Sequence, residues 1–292
     1  MRRFLAITRT AAIETMSQPL SAILFTVSVF AVHALPSLQY HRFGAPGRLA
    51  RETGLSALFV FGLLFAVPAA VRAIGRELET GTAATVLALG VSRTLYFMAR
   101  LTGVLAVFAL FFVGVFSATL LSSFSCVKAS TMFVEHGVVR VWGPAFAVGV
   151  SSSISAFAVA AFLNRFANRR FCMWTCILAV ALQLPGLAFL DGISQLTAAF
   201  PAFFSLAAAC LVYIIMAGAL ATRLKANGVS AVVCAFVLAG FITPVGFLAP
   251  DMRVFWLEEG SGAMLMPAMA GVALAVLWSI AGCVSLERRE LE

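Results

Sequence analysis

Eight long apolar stretches run through the sequence, and they restrict the folds open to it. Hydrophobic residues make up 62% of the 292 residues and charged residues 11%, and the mean hydropathy is +1.03. A helix needs about 20 mainly apolar residues to cross a membrane, and irregular backbone cannot face lipid. We therefore expect an all-α, polytopic transmembrane helical bundle forming a single domain over residues 1–292. The eight predicted transmembrane helices cover residues 20–35, 55–74, 101–121, 144–163, 171–190, 201–221, 229–249 and 264–286.

The distribution of basic residues predicts the orientation of this bundle. Loops rich in Lys and Arg tend to stay in the cytoplasm. With eight crossings and both termini cytoplasmic, most of the 20 basic residues lie inside. The net charge of +8 is spread in small groups beside apolar runs, which favours membrane topology and a lipid bilayer as partner, with no nucleic acid. The basic residues expected inside are Arg2, Arg3, Arg9, Arg72, Arg76, Arg93, Arg100, Arg165, Arg169, Arg170, Arg223, Lys225, Arg288 and Arg289.

Residues 1–18 form an amphipathic pattern ahead of the first apolar stretch. Phe4, Ile7 and Ala11 share one helical face, while Arg9 and Glu14 fall largely elsewhere. This pattern suits an interfacial helix on the inner membrane surface. It is equally satisfied by a simple extension of the first crossing helix.

Histidine and cysteine residues do not form a chemical site in the sequence. The three histidines are well separated, and most of the six cysteines lie in apolar runs, where a thiol behaves as a small hydrophobic group. We therefore expect no metal site and no catalytic cluster on this chain. His33, inside the first apolar run, could form a buried polar contact.

A short polar segment, RELETGTAATVLALGVSRT, lies between the second and third predicted crossings, on the cytoplasmic side. Glu77 and Glu79 stand before the stretch AATVLALG, where negative charge favours a helix start, and Thr80 or Thr82 could cap that helix. Gly90 can end it, and Ser92 can begin the next helix. Ala83, Val86, Leu87 and Leu89 give this short helix an apolar surface. The pattern fits either a helix that docks on a partner or an interfacial turn.

Residues 48–110 resemble the second and third membrane helices of ABC-2 type ABC transporter permeases. The resemblance is carried by Gly54-Leu55, by the acidic turn with Gly81-Thr82, and by Val86-Leu87 and Val91-Ser92-Arg93. The sequence departs from the family pattern at Gly90, where proline is usual, and at Arg100, where lysine is usual. Eight crossings also exceed the six that are usual for the family's core.

The resemblance implies a function for the polar segment. Residues 76–92 are similar to the family's coupling helix, which binds a separate cytoplasmic ABC ATPase. The chain has no GxxxxGK[ST] motif, so ATP and Mg would be bound by that partner, and the chain itself would be a non-catalytic subunit without a cofactor. A second permease copy, or a related permease, would complete a transporter in the plasma (inner) membrane. The residues that would bind the ATPase are Glu77, Glu79, Gly81, Thr82, Val86, Leu87, Leu89, Ser92 and Arg93.

Export is the expected direction, because the family consists mostly of exporters. An ion-coupled secondary transporter is one alternative, although acidic residues avoid the middle of every apolar run. A membrane assembly or maturation factor is another.

The predicted orientation can be tested by cysteine labelling in a variant that lacks the native cysteines. We expect Asn168→Cys to react with a membrane-impermeant maleimide only from the cytoplasm, and His136→Cys only from outside. The reverse pattern would show that the topology is wrong.

Overall fold

The computed structural model describes residues 1–38, 46–132, 143–167, 170–189, 194–242 and 265–289, and all regular structure within these ranges is helical. The predicted all-α class is confirmed for this part of the chain. A π-helical turn, Arg72–Arg76, follows α3, and a 3-10 segment, Leu184–Phe189, follows α8. The helices are α1 Arg2–Met16, α2 Pro19–Leu38, α3 Pro46–Val71, α4 Glu77–Glu79, α5 Thr82–Ala88, α6 Arg93–Met132, α7 Gly143–Ala167, α8 Phe171–Ala181, α9 Ser194–Leu220, α10 Ala226–Ile242 and α11 Leu265–Glu287.

Among the residues that the structure describes, five helical stretches are long and apolar enough to cross a membrane: Pro19–Pro36, Ala50–Glu79, Arg93–Phe124, Ala147–Ala167 and Pro201–Leu220. Three shorter apolar helices, Phe171–Leu187, Ala226–Gly240 and Gly271–Glu287, coincide with the fifth, seventh and eighth predicted crossings. Helices thus lie in all eight predicted stretches, with turns at residues 182–183 and 221, and residue 190, residues 243–249 and residue 264 lie outside the described ranges. The count of eight crossings stays a prediction.

The first two helices are separate. α1 ends at Met16, and α2 begins at Pro19 after Ser17 and Gln18. Proline has no N–H group to continue a preceding helix, but it is well suited to the first position of a new one. The idea that residues 1–18 simply extend the first crossing helix is therefore wrong. In α1, Ala11 is fully buried and Arg9 is exposed, as the amphipathic pattern predicts, whereas Glu14 contacts Arg100 of α6. Whether α1 lies on the membrane surface stays a prediction.

Proline residues mark changes of helical geometry in two of the predicted crossings. Pro68 lies in α3, and the helix widens into the π-helical turn Arg72–Arg76 four residues later. Pro185 lies in the 3-10 segment that replaces α-helix after α8. Pro244, in the seventh apolar stretch, lies outside the described residues.

The chain forms two compact units. Unit 1 consists of Met1–Thr15, Leu63–Phe108 and Phe204–Glu292, and unit 2 consists of Met16–Gly62 and Ala109–Phe203. The core of unit 1 includes large side chains that are at most 2% exposed: Ile74, Tyr96, Phe97, Leu101 and Tyr213.

In unit 2, α2, α7 and α8 pack against one another. The rings of Phe25 and Phe111 meet edge to face, with centroids 5.1 Å apart. Both units use small residues where helices approach closely, as membrane helices commonly do: Gly103 of α6 lies against α1 in unit 1, and Gly114 of α6 lies against Val180 in unit 2.

The contact between α1 and α6 can be tested by adding one methyl group. A Cβ atom at Gly103 would lie 2.6 Å from Cβ of Ala11 and 2.7 Å from the carbonyl oxygen of Thr8. We expect Gly103→Ala to lower the free energy of unfolding in detergent by about 1–3 kcal/mol through overpacking. Gly228→Ala in α10 is the control, because the nearest neighbour there is 3.7 Å away. Equal stability of the two variants would contradict this packing.

Candidate partner-binding site

Residues 77–92 fold into a short helix bracketed by two glycines. Gly81 has φ 73° and reverses the chain after α4, and Gly90 has φ 76° and ends the segment after α5. Both angles lie in the left-handed region that glycine adopts without steric cost. Ser92 then accepts a hydrogen bond from the amide of Leu95 at 3.3 Å. The predicted helix end at Gly90 and the predicted start of the next helix at Ser92 are thus confirmed.

The predicted cap of the short helix is wrong. Gly81 occupies the cap position of α5, and no side chain there bonds a free amide. The threonine hydroxyls point backward instead: Thr80 donates to the carbonyl oxygen of Arg76 at 2.9 Å, and Thr82 donates to that of Glu77 at 3.3 Å. The carbonyl oxygen of Arg76 also accepts the backbone amide of Thr80 at 2.9 Å, so both hydroxyls add bonds to carbonyl groups of the α4 turn and not to free amides of α5.

Glu77 does not begin α5, contrary to the prediction, because Gly81 turns the chain between them. Its side chain is 15% exposed, and its carboxylate accepts hydrogen bonds from the hydroxyl of Tyr96 and the guanidinium of Arg100. The π-helical turn just before it holds one residue more than an α-helical turn, which rotates the following side chains by about 100° about the axis. Glu77 is therefore directed into unit 1.

Arg100 is the centre of a charged cluster formed by Glu14, Glu77, Tyr96 and Arg100, here called the Arg100 cluster. Its side chain is only 7% exposed. One terminal nitrogen lies 2.6 Å from Oε2 of Glu14, and the other contacts Glu77. The carbon of the guanidinium lies 5.8 Å from the ring centre of Tyr96.

The geometry of this cluster follows from the cost of burying a cation. A buried guanidinium loses its hydration, and only close, well-oriented acceptors offset that loss. Its planar fork lets it bind two carboxylates at once. Because Glu14 is on α1, Glu77 on α4 and Arg100 on α6, one side chain joins three helices of unit 1.

The other end of the segment is held by α1 as well. Arg3 donates from Nη1 to the carbonyl oxygens of Leu89 at 3.2 Å and Gly90 at 3.1 Å. A cation at this place complements the negative end of the α5 dipole and satisfies carbonyls that lack helical partners. Arg3 and Glu14 are eleven residues apart, or about three helical turns, so they share one face of α1. Through Arg3 that face contacts the end of the short segment directly, and through Glu14 it contacts Arg100, which in turn binds Glu77 at the other end.

Arg93 is also held inside unit 1. Its guanidinium donates to the carbonyl oxygens of Glu287 at 2.8 Å and Arg289 at 2.7 Å. Thr94 beside it donates to the carboxylate of Glu287 at 2.6 Å. Arg93 therefore caps the end of α11 and connects it to the start of α6.

Six predicted binding residues of the segment remain accessible and are here called the α5 face: Glu79, Gly81, Thr82 and Leu89 are exposed, and Val86 and Leu87 are half-buried. Leu89 is 73% exposed. Ala83, expected to add apolar surface, is fully buried. The α5 face offers one carboxylate, one hydroxyl and an apolar edge, which suits binding of a protein surface.

Glu14, Tyr96, Arg100 and Arg3 were not among the predicted site residues. One signal in the sequence pointed to Arg100, because a cation directly beside a predicted crossing needs a partner. Its partner Glu77 lies 23 residues away, and no local pattern specifies such a contact.

Within the described ranges, no group of three or more His, Cys, Asp or Glu side chains is placed to hold a metal ion.

Comparison of the chain with protein-family models, with curated proteins and with solved structures finds no match.

The contribution of the Arg100 cluster to stability can be measured by removing the positive charge of Arg100. We expect Arg100→Met to lower the free energy of unfolding by about 3 kcal/mol, because two carboxylates then lose their buried cation. Arg100→Lys should recover part of the loss, since it keeps the charge without the fork. The control is Arg9→Met on the exposed face of α1, with an expected change within about 0.5 kcal/mol. If Arg100→Met lowers the free energy of unfolding no more than Arg9→Met does, Arg100 is not the cation that holds α1, α4 and α6 together.

Proposed function

We propose that this chain is the membrane-spanning permease subunit of an ATP-driven ABC transporter of the ABC-2 type, and that it works as an exporter in the plasma membrane. It would cross the membrane eight times with both termini in the cytoplasm. The observation that carries the proposal is a short helix, α5, whose carboxyl end is held by Arg3 of α1 and which directly follows α4, itself held by Arg100 of α6.

A helix that transmits motion between proteins has to be short and braced. A flexible loop changes its own conformation when a partner moves, so little of the displacement reaches the rest of the protein. A helix that is held by neighbouring elements moves as a rigid unit and passes the displacement to them. α5 has only seven residues. Arg3 holds its carboxyl end, and the Arg100 cluster holds α4 just before its amino end. A force on α5 would therefore reach α1 and α6 together.

The α5 face indicates what the partner must supply. Glu79 is exposed and carries a negative charge suited to a basic side chain. Leu89, with half-buried Val86 and Leu87 near it in sequence, suits an apolar pocket that excludes water. We propose that a cytoplasmic ABC ATPase supplies this groove and binds ATP and Mg. The transport path would be completed by a second copy of this chain or a related permease.

The proposal assigns different roles to residues that the sequence grouped together. Glu79, Gly81, Thr82, Val86, Leu87 and Leu89 would contact the ATPase. Glu77, Ser92 and Arg93 would position the segment from within the permease, because each is bonded inside unit 1.

Charge and polarity changes on the α5 face test this function. We expect Glu79→Lys and Leu89→Asp to weaken binding of the ATPase by about 10- to 100-fold, the usual effect of changing an interface hot spot. The measurement is the amount of ATPase that co-purifies with the detergent-solubilised permease, together with coupled ATP hydrolysis.

Leu224→Asp is the matched control, since Leu224 is a 41% exposed leucine outside the α5 face. It should leave the complex intact. Elution volume and helical circular dichroism check that each variant is folded. If both α5 variants retain the full amount of ATPase and the full rate of coupled ATP hydrolysis, the proposed function is wrong.

A further inference from the structure

The carboxyl end of α11 is surrounded by basic side chains of unit 1. Arg93, at the start of α6, donates to the carbonyl oxygens of Glu287 at 2.8 Å and Arg289 at 2.7 Å. Arg289 in turn donates from Nη1 to the carbonyl oxygen of Thr222, in the turn after α9, at 2.6 Å. The end of α11 is therefore bonded both to α6 and to the turn between α9 and α10.

Arg223 binds at the same place. Its Nε donates to the hydroxyl of Ser285 at 3.1 Å, and its Nη2 donates to the carbonyl oxygen of Ser285 at 3.1 Å. The hydroxyls of Thr222 and Ser285 lie 2.7 Å apart. Since Arg223 binds Ser285 and Arg289 binds Thr222, the two guanidinium groups are bonded to neighbouring residues.

The positive charge at this end of α11 is not neutralised by the described residues. Each acceptor of Arg93, Arg223 and Arg289 is a hydroxyl or a carbonyl oxygen, whereas buried Arg100 binds two carboxylates. The carboxylate of Glu287 accepts from Thr94. Cations that lie close together repel one another, so an anion would stabilise them. Four exposed or half-buried basic residues are here called the α11 basic patch: Arg223, Lys225, Arg288 and Arg289.

The α11 basic patch lies where apolar helices end. Lipid phosphates lie just outside the hydrocarbon core, so side chains at the ends of crossing helices reach the level of these phosphates. The predicted orientation puts this end on the cytoplasmic side, where anionic lipids attract Lys and Arg. The apolar helices that begin or end beside the patch are Arg93–Phe124, Pro201–Leu220 and Gly271–Glu287.

We propose that the α11 basic patch binds the phosphate of an anionic lipid headgroup. Guanidinium groups bind phosphate oxygens through paired N–H donors. Nη1 of Arg223 and the exposed guanidinium of Arg288 bond to none of the described residues, so these donors are available to the phosphate. A lipid with a cationic choline headgroup gains less, because the patch repels the choline. This site is independent of ATPase binding, and its test does not require the proposed function to be right.

Two phospholipids that differ in headgroup charge test the site. The full chain, which includes Glu290 and Glu292 beyond the described residues, is purified in detergent and titrated with phosphatidylglycerol or with phosphatidylcholine of the same acyl chains. Native mass spectrometry measures the affinity for the first bound lipid. We expect phosphatidylglycerol to bind at least about tenfold more tightly, because each basic side chain near an anionic lipid changes the affinity about fivefold. Equal affinity for the two lipids would overturn the proposal.

Hydrogen exchange locates the bound lipid. We expect the amides of residues 221–229 and 284–289 to exchange more slowly in nanodiscs of phosphatidylglycerol than in nanodiscs of phosphatidylcholine, because a bound headgroup suppresses local opening. Unchanged exchange at these residues would show that the lipid binds elsewhere. Both comparisons of lipids use the unaltered protein, so the test remains decisive where a variant does not fold.

Arg288→Gln is the variant that tests the patch most cleanly, because this side chain is exposed and bonds to none of the described residues. We expect it to weaken binding of phosphatidylglycerol about fivefold. Arg165→Gln is the matched control, since Arg165 is an exposed arginine in the last turn of another apolar helix, α7. It should leave the affinity for the first lipid unchanged. Equal losses in the two variants would show that general surface charge, and not the patch, attracts the lipid.

Inorganic phosphate distinguishes a lipid from a soluble ligand. In phosphatidylcholine nanodiscs, millimolar inorganic phosphate should leave exchange at residues 284–289 unchanged, since a free ion lacks the acyl chains that hold a headgroup at the membrane. If inorganic phosphate slows exchange as much as phosphatidylglycerol does, the patch binds a soluble phosphate and the assignment to lipid is wrong. If neither slows exchange, the arginines only cap helix ends and the proposal is overturned.

Discussion

The buried guanidinium of Arg100 lies between the carboxylates of Glu14 and Glu77, and the arrangement of the candidate site depends on it. A cation with only 7% of its side chain exposed loses most of its hydration, and this loss is offset only while both carboxylates stay in place. α1, α4 and α6 are therefore held in one relative position. Tyr96 adds a hydroxyl to Glu77 and a ring face to the cation.

Further charged contacts extend this constraint through unit 1. Arg3 satisfies the last carbonyls of the α5 segment, and Arg93 satisfies those of α11. Helix ends carry partial charges and unpaired carbonyls, so arginine side chains stabilise these ends and also connect helices that are distant in sequence. The result is a seven-residue helix that is held by Arg3 at its carboxyl end and preceded by α4, which Arg100 holds. A short helix supported in this way can transmit a partner's movement to the helices that hold it.

The sequence predicted the features that depend on local physics. Apolar stretches became helices, Gly90 ended α5, and Ser92 began α6. Features set by tertiary contacts were missed: Glu77 is turned inward by the π-helical turn and by Arg100, 23 residues away, and Ala83 is buried although its residue type suits either environment. The threonine cap failed because Gly81 reached the cap position with a left-handed backbone angle. Pro19 could have predicted the separation of α1 from α2. Hydrophobic periodicity alone does not distinguish one continuous helix over residues 1–35 from two separate helices.

The central claim is that the α5 face binds an ABC ATPase, and site-specific photo-cross-linking in cells tests it most directly. Leu89, which is 73% exposed, would be replaced by benzoyl-phenylalanine, with the same replacement of Leu224 as the reference. The account predicts that the replacement at Leu89 captures a protein with a Walker A motif, identified by mass spectrometry, and that the replacement at Leu224 does not. Capture of lipid alone at Leu89, or of the same proteins at both positions, would contradict it.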